Sequence, residues 1–203
     1  TMIPKGNKPA NDPKNYRPIS LVSCLGKLVE RIVAQRLLTF LEKNKLIVKQ
    51  QSGFRALRRT TDNLMFFSQK VAEAFQRGKK VLSLTFDIQA AFDAVWHDGL
   101  IFKMIANKVP AYLIRWTHFF LADRTFQVKV GKSVSSPGDL KTSVPQGGCV
   151  SPTLFSIFIN DVPAGFANNK EYSLFFADDL NAFLLFKKPG KAKASVKKFL
   201  KEL

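Results

Sequence analysis

The sequence has few of the residues that build metal clusters and disulfide scaffolds. Among 203 residues it has two cysteines, Cys24 and Cys149, and two histidines, His97 and His118. Two cysteines cannot form a metal site by themselves, and they predict neither a disulfide framework nor an oxidising compartment. We interpret both histidines as surface or core residues. The start of the chain does not resemble a signal peptide, and no apolar run approaches the roughly 20 residues of a membrane span, so no segment is expected to cross a membrane.

Acidic residues are also scarce. The chain has 15 Asp and Glu against 32 Lys and Arg, a net charge of +17. The excess lies at the two ends, because residues 1–60 carry a net +10 and residues 187–203 a net +6, whereas residues 61–186 carry only +1. This balance favours an anionic partner, either nucleic acid or an acidic membrane surface. Composition alone is equally consistent with two solvated basic surfaces.

The hydrophobic content, 46%, is sufficient for one domain or for two small lobes that share a core. Apolar spacing predicts helices over about 23–41, 62–77, 98–107, 110–121, 150–160 and, basic and amphipathic, 191–203. Strands are predicted over about 81–87, 125–130 and 139–144 and on both sides of Asp178-Asp179, with a loop over 5–18. The turn between the strands over 125–130 and 139–144 is predicted at Ser136-Pro137-Gly138-Asp139. Because helices and strands alternate without a βαβ rhythm, we expect an α+β fold.

The first two helices carry the clearest apolar faces. In the first helix the face expected to be buried contains Leu25, Leu28, Val29, Ile32, Val33 and Leu37. In the second helix it contains Leu64, Phe67, Val71, Ala74 and Phe75. Asp62 is expected to cap the start of this second helix, and Gly78 is expected to end it.

Two separate carboxylate sites each follow a strongly apolar strand. Asp178 and Asp179 place like charges side by side next to a core, a cost that a divalent cation would offset, although Asp also suits a hairpin turn. Asp87 ends an earlier strand, with Asp93 close behind, and could instead cap a helix. Together the two sites predict a two-metal phosphoryl-transfer centre, for which the hard oxygen donors of carboxylates are suitable ligands of Mg²⁺.

A glycine pair, Gly147-Gly148, precedes the predicted helix that begins near residue 150. Glycines before a helix start can present main-chain N–H groups to a phosphate or a sugar edge. The same pattern also suits a tight connection between a strand and a helix.

Five short motifs, in this order, give the chain a family resemblance. They are Asn15-Tyr16-Arg17-Pro18-Ile19-Ser20-Leu21, Gln51-Ser52-Gly53-Phe54-Arg55, Phe86-Asp87-Ile88 with Ala91-Phe92-Asp93, Pro145-Gln146-Gly147 with Ser151-Pro152, and Phe176-Ala177-Asp178-Asp179. The set resembles the reverse transcriptases of non-LTR (LINE-type) retrotransposons, and the jockey-like branch most. Gly148-Cys149 departs from the family pattern, which more often has a small residue such as Ser and then an aliphatic one.

The resemblance implies the fingers and palm of a right-hand polymerase, with an antiparallel palm sheet of the ferredoxin or RRM type packed by helices. Residues 1–203 would be a single domain fragment without the thumb. Residues 1–80 would be mainly fingers, and residues 81–203 mainly palm, with an interleaved fingers segment near 109–140.

The implied activity is RNA-directed DNA polymerisation in target-primed reverse transcription. Its partners would be an RNA template, a DNA primer and dNTPs, and its cofactor two Mg²⁺ ions, or Mn²⁺ in their place. The family's way of life implies a nuclear location after transit through the cytoplasm. Asp87 and Asp178 would be the main metal ligands, with the Ile88 carbonyl as an additional one and Asp179 as the supporting catalytic carboxylate.

The resemblance also implies how the nucleotide and the template bind. Phe92 would be a steric gate whose ring clashes with a ribose 2′-hydroxyl, although it could instead be a core residue. Gln146 and Gly147 would line the pocket of the incoming base, and Lys5 and Arg17 would contact the triphosphate. The template strand would contact Gly53, Phe54 and Arg55.

Two other functions remain open from the sequence. The chain could be an inactive, truncated nucleic-acid-binding relic of such an element, although Asp87, Asp178 and Asp179 are intact. It could also belong to a related polymerase, such as a group II intron maturase or an RNA-directed RNA polymerase. The bulky Phe92 and the Ala-Asp-Asp sequence argue against RNA synthesis.

Overall fold

The computed structural model describes residues 2–6, 9, 11–162, 171–190, 193–194 and 196–197. The chain forms two compact units. We call them the helical unit, Thr1–Leu46 with Ala90–Phe158, and the sheet unit, Ile47–Gln89 with Ile159–Leu203. Most of the basic helix predicted over 191–203 lies outside the described residues.

Helices and strands are mixed along the chain, as predicted for an α+β fold. The helices are α1 (Cys24–Lys43), α2 (Thr60–Gln76), α3 (His97–Ala106), α4 (Ala111–Leu121) and α5 (Ser151–Phe158). The strands are β1 (Met2–Pro4), β2 (Tyr16–Pro18), β3 (Lys80–Phe86), β4 (Thr125–Phe126), β5 (Lys129–Val130), β6 (Ser133–Val134), β7 (Gly138–Asp139), β8 (Glu171–Phe176) and β9 (Asp179–Phe186). None of the helices in the described part is both long and apolar enough to cross a membrane.

Helix α1 begins where the sequence predicts. The Ser23 hydroxyl accepts the N–H of Gly26 at 3.0 Å, which satisfies one of the free donors of the first turn. The buried residues of α1 are Glu30, Val33, Leu37 and Leu41. The prediction was wrong for Leu25, Leu28, Val29 and Ile32, which are exposed, because the stripe turned to the core is the one centred on Val33 and Leu37.

Helices α3 and α4 confirm the two predicted helices of this region, and α3 packs against both α4 and α5 in the helical unit. Their buried faces are spaced at helical intervals and contain Leu100, Met104, Leu113 and Leu121. A short link, in which Lys108 has a left-handed backbone with φ 54°, joins the two helices.

The segment after α4 differs from the prediction. Strand β4 pairs with β7 and β5 pairs with β6, so the chain turns at Gly131, whose φ is +59°. The turn predicted at Ser136-Pro137-Gly138-Asp139 was wrong, and so was the strand predicted over 139–144. A glycine in the left-handed region suits this tight turn because it has no Cβ. The loop predicted over 5–18 is also only partly a loop, because β2 pairs with β1.

The sheet unit contains an antiparallel sheet with the strand order β3-β9-β8. All three strands were predicted from their apolar runs. The central strand β9 buries Leu180, Ala182 and Phe183. Helix α2 packs against this sheet, with the ring of Phe67 edge-on to Phe183 at a centroid distance of 5.0 Å.

Helix α2 begins two residues earlier than predicted, and Asp62 is not its cap. Instead Asp62 lies in the first turn, where its carboxylate accepts the N–H of Arg59 at 2.8 Å. Of the expected buried face only Ala74 is fully buried, and Leu64 and Phe75 are exposed. The helix ends before Gly78, which has a φ of +61° and is the predicted stop.

Candidate active site

Three aspartates lie at one end of the sheet, where β3 ends and the β8–β9 hairpin turns. We call this end of the strands, with Asp87, Asp178 and Asp179, the carboxylate edge. Strand β3 ends at Phe86, which pairs with Leu180, so Asp87 follows the last pair of the ladder at the level of Asp179 on the neighbouring strand. Asp179 is the first residue of β9 and pairs with Phe176, so Asp178 lies in the turn of the β8–β9 hairpin. The end of one strand and the turn of the adjacent hairpin therefore place Asp87, Asp178 and Asp179 at the same end of the sheet, and their shared role in metal binding stays a prediction.

The side chain of Gln51 binds the main chain of the hairpin turn. Its side chain is only 2% exposed and donates through Nε2 to the carbonyl of Ala177 at 3.1 Å. Its Oε1 accepts the N–H of Ala177 at 3.1 Å and that of Gly53 at 2.7 Å. Ala177 has a φ of +59°, a conformation that costs free energy in a residue with a Cβ. Two hydrogen bonds to the Gln51 side chain therefore hold the strained turn next to Asp178, and the third ties the same side chain to Gly53.

Gly53 lies directly against the same turn. A Cβ at this position would be 2.1 Å from the N atom and 2.8 Å from the Cα atom of Ala177. No side chain fits there, because both atoms belong to the main chain. The absence of a Cβ at Gly53 is therefore a condition for the observed position of the hairpin.

The segment that contains Gln51 continues along β8. Ser52 donates its N–H to the carbonyl of Phe175 at 2.9 Å, and Phe175 donates its N–H to the carbonyl of Gln50 at 2.9 Å. Asn63 of α2 donates to the same Phe175 carbonyl at 3.0 Å. The open edge of β8 is thus partly covered, so the carboxylate edge is supported on both sides of the hairpin.

The carboxylate edge carries negative charge without a fixed counter-charge. Asp87 and Asp179 are exposed and Asp178 is half-buried. Within the ranges that the structure describes, no lysine or arginine lies within ion-pair distance of these three side chains. Like charges that lie near one another repel, and a divalent cation bound between them would offset the repulsion.

The donor set suits a hard cation that keeps part of its hydration shell. Across the described residues no three His, Cys, Asp or Glu side chains are arranged as a complete metal cluster. The donors at this end of the sheet are carboxylate oxygens. Mg²⁺ is typically bound through one or two carboxylates plus water and phosphate rather than in a cage of protein ligands, so these donors suit this ion.

Comparison with known proteins identifies the family. The family described as "Reverse transcriptase (RNA-dependent DNA polymerase)" matches residues 3–203. The chain belongs to the reverse transcriptase family. This confirms the resemblance that the five motifs suggested.

The curated relatives of this reverse transcriptase chain include polymerases of mobile elements. It is 40% identical over 162 residues to the RNA-directed DNA polymerase from mobile element jockey of Drosophila melanogaster, a match covering 80% of the chain and 18% of the relative. It is 38% identical over 162 residues, with the same coverage, to the probable RNA-directed DNA polymerase from transposon BS of the same species. The chain thus spans less than a fifth of the length of these relatives.

Solved structures support the fold. The apo telomerase from Candida tropicalis truncated from its C-terminal domain superposes with a TM-score of 0.59 at 17% identity. The match covers 87% of the reverse transcriptase chain and 37% of the telomerase chain. A fingers-and-palm fold, as predicted, agrees with this likeness.

The second group of predicted site residues lies in the helical unit. Gln146 donates through Nε2 to the Oδ1 atom of Asp93 at 3.1 Å, and its carbonyl accepts the N–H of Ser20 at 2.8 Å. Gly147 has a φ of +99°, which favours glycine. Phe92 is half-buried and stacks on Phe155, with centroids 5.0 Å apart and planes 11° apart. Its ring is therefore held in a fixed orientation, and its role as a gate stays a prediction.

The predicted triphosphate contacts lie in the β1–β2 ladder and its connection. Lys5 donates its N–H to the carbonyl of Asn15 at 2.7 Å, and its Nζ donates to the carbonyl of Lys14 at 2.9 Å. Arg17 is exposed and pairs in the ladder with Ile3. Both cations lie in one small substructure, and their contact with a triphosphate stays a prediction.

The predicted template residues have structural roles as well. Arg55 donates through Nη1 to the carbonyl of Val48 at 3.0 Å and to that of Gln51 at 3.1 Å. Phe54 is 42% exposed and has a φ of 59°. The arginine therefore stabilises its own loop, and the strained loop presents Phe54 to solvent.

Sequence reasoning missed two residues that fix the predicted site. Gln51 was noted only as part of a motif, and Glu30 was not noted at all. A signal was present for Glu30, because it shares the helical spacing of Val33, Leu37 and Leu41 and is the only charged residue in that stripe. A charge within an apolar stripe indicates a buried polar contact.

Proposed function

We propose that this chain provides the nucleotidyl-transfer centre of an RNA-directed DNA polymerase from a non-LTR retrotransposon. The observation that carries the proposal is the meeting of Asp87, Asp178 and Asp179 at one sheet edge in a chain of the reverse transcriptase family. The primer 3′-hydroxyl would lose its proton to water, and its oxygen would form a bond to the α-phosphorus of a dNTP. The bond between that phosphorus and the oxygen that bridges it to the β-phosphorus would break, and pyrophosphate would leave.

Two divalent cations, when bound, would activate the attacking oxygen and stabilise the leaving one. Asp87 and Asp178 would bind them together with the Ile88 carbonyl, and Asp179 would contribute supporting negative charge. Mg²⁺ is our choice of ion because the donors are few and hard, with Mn²⁺ as a substitute. The fixed hairpin turn would keep Asp178 in place, since Gln51 binds both main-chain polar groups of Ala177.

Selection of the nucleotide would depend on the helical unit. Phe92 would exclude a 2′-hydroxyl with its ring, and the stacking on Phe155 supports this role because it holds the ring in one orientation. Gln146 and Gly147 would contact the incoming base, and Lys5 and Arg17 would neutralise charge on the triphosphate.

An RNA template and a DNA primer would be the macromolecular partners. The net charge of +17 supports a polyanionic partner, and Gly53, Phe54 and Arg55 would contact the template strand. Target-primed reverse transcription would take place in the nucleus, after transit of the protein through the cytoplasm.

Primer extension on an RNA template, with dNTPs and Mg²⁺, tests the proposal. It would be carried out with the chain alone and with the chain continued at its C terminus by the segment that follows the matching region in the jockey relative. Extension in the wild type that is lost in Asp178→Ala is the expected result. Binding of an RNA–DNA hybrid without extension in either form would refute the enzyme and favour the relic. Extension with ribonucleotides in place of dNTPs would favour an RNA polymerase.

A further inference from the structure

Ser20 and Asp93 hold the first half of the loop that carries Gln146 and Gly147. We call residues 145–150 the Gln146 loop. The carbonyl of Gln146 binds the N–H of Ser20, and its side chain binds Asp93. Both contacts act on the first half of the loop. The second half, which leads into α5, needs another partner, because Val150 precedes the helix and its side chain cannot accept a hydrogen bond.

Glu30 of α1 is that partner. Its Oε2 atom accepts the N–H of Cys149 at 2.7 Å and the N–H of Val150 at 3.3 Å. The residue is 2% exposed, so the contact is shielded from water. A carboxylate at this place supplies the acceptor that the helix start lacks and also interacts favourably with the positive end of the helix dipole. The start of α5 is thus capped by a side chain 119 residues away.

The Glu30 carboxylate packs closely against the main chain at Gly148. A Cβ on Gly148 would lie 2.8 Å from the Oε2 atom of Glu30 and 2.8 Å from the Oγ atom of Ser151. The carboxylate therefore lies directly against the main chain of the loop. The glycine that departs from the family pattern is the residue that the carboxylate touches.

Packing alone does not explain why a glutamate occupies position 30. Its Oε1 atom is buried, and so is the hydroxyl of Ser151, and neither has a hydrogen-bond partner in the part of the chain that the structure describes. An unpaired buried polar atom lowers stability, and an apolar residue of similar volume would avoid that cost. What the carboxylate provides in return is a fixed main chain at Cys149 and Val150.

We propose that Glu30 is a positioning residue for nucleotide binding. By fixing the second half of the Gln146 loop, it sets the orientation in which Gln146 and Gly147 meet the incoming dNTP. The inference rests on the proposed function, since the nucleotide contacts of these two residues are part of it.

Three variants test the inference. Glu30→Met keeps the volume and removes both acceptors, and Glu30→Gln keeps one carbonyl oxygen that can accept the same N–H groups. Val33→Ala, one turn further along α1, perturbs the same buried stripe without touching a hydrogen bond and is the matched control. For each variant we would measure thermal stability, kcat and KM for dNTP, affinity for primer–template, and hydrogen exchange of the peptide that spans residues 145–151.

We expect Glu30→Met to raise KM for dNTP by about tenfold or more, because two buried N–H groups lose their acceptor. The affinity for primer–template should stay within about threefold, kcat should change less than KM, and the amides of Cys149 and Val150 should exchange faster. Glu30→Gln should restore KM to within about threefold. Val33→Ala should lower the melting temperature and leave KM unchanged.

The inference is overturned if Glu30→Met keeps the wild-type KM and exchange rates, or if Val33→Ala raises KM as much as Glu30→Met does. If the wild type extends no primer, the proposed function fails on its own. The exchange measurement needs no catalysis and still decides the role of Glu30. Unchanged exchange in Glu30→Met would show that Glu30 does not hold the main chain at Cys149 and Val150.

Discussion

Replacement of Gly53 by alanine is the sharpest test of how the hairpin is positioned. The new Cβ would be 2.1 Å from the Ala177 N atom, whereas ordinary contacts between such atoms need about 3.5 Å. The main chain would therefore have to move by roughly 1 Å or more. Overpacking of a core costs about 1–3 kcal/mol, and a contact with main-chain atoms belongs at the upper end of that range. Gly53 has an ordinary φ, so the clash accounts for the whole effect.

The measurement is thermal denaturation together with primer extension. A loss of about 3 kcal/mol corresponds to a fall of roughly 6–12 °C in the melting temperature of a chain of this size. A shift of about 1 Å in the turn that carries Asp178 should reduce the extension rate about 100-fold. Gly190→Ala is the matched control, because a Cβ there meets nothing within 4 Å. Wild-type stability and rate in Gly53→Ala would refute the reasoning.

The remaining predictions concern individual side chains of the site. Gln51→Ala should lower the free energy of unfolding by about 2–4 kcal/mol in a denaturant titration, because three buried main-chain groups lose their partner. A loss below about 0.5 kcal/mol would show that Gln51 does not hold the turn. Asp178→Asn should abolish extension while keeping or slightly raising the melting temperature measured without metal, since it removes one of several like charges; a marked destabilisation would show that the carboxylate has a structural role. Phe92→Val should admit ribonucleotides in a competition assay at a cost in stability of about 1–2 kcal/mol, and unchanged sugar selection would eliminate the gate.

The elements that the sequence predicted correctly are those whose pattern is local. Helices α3 and α4 follow helical spacing, and β3, β8 and β9 are apolar runs that end at carboxylates. The placement of Asp87, Asp178 and Asp179 at one end of the sheet could also be anticipated, because Asp87 follows one apolar strand and the other two lie where two more apolar strands join.

The predictions that failed depend on tertiary contacts, which a local sequence pattern does not contain. Apolar spacing shows that a helix has an apolar side, and it does not show which part of that side another element covers, so Leu25 and Leu64 were wrongly expected to be buried. Proline and glycine at 136–139 suggested a turn, but the chain uses Gly131 instead. The roles of Gln51 and Glu30 depend on partners 126 and 119 residues away, which no local pattern encodes.

The strand order β3-β9-β8 has a consequence for synthesis of the protein. Within the part of the chain that the structure describes, strand β3 pairs with β9 alone, and the paired residues are 94 to 106 positions apart, from Phe86 with Leu180 to Lys80 with Phe186. At about 5–20 residues per second, a ribosome needs roughly 5–20 s to produce the partner after β3. During that interval the apolar strand has two open edges and is prone to aggregate or to bind a chaperone. The carboxylate edge therefore forms only after β9 has been synthesised.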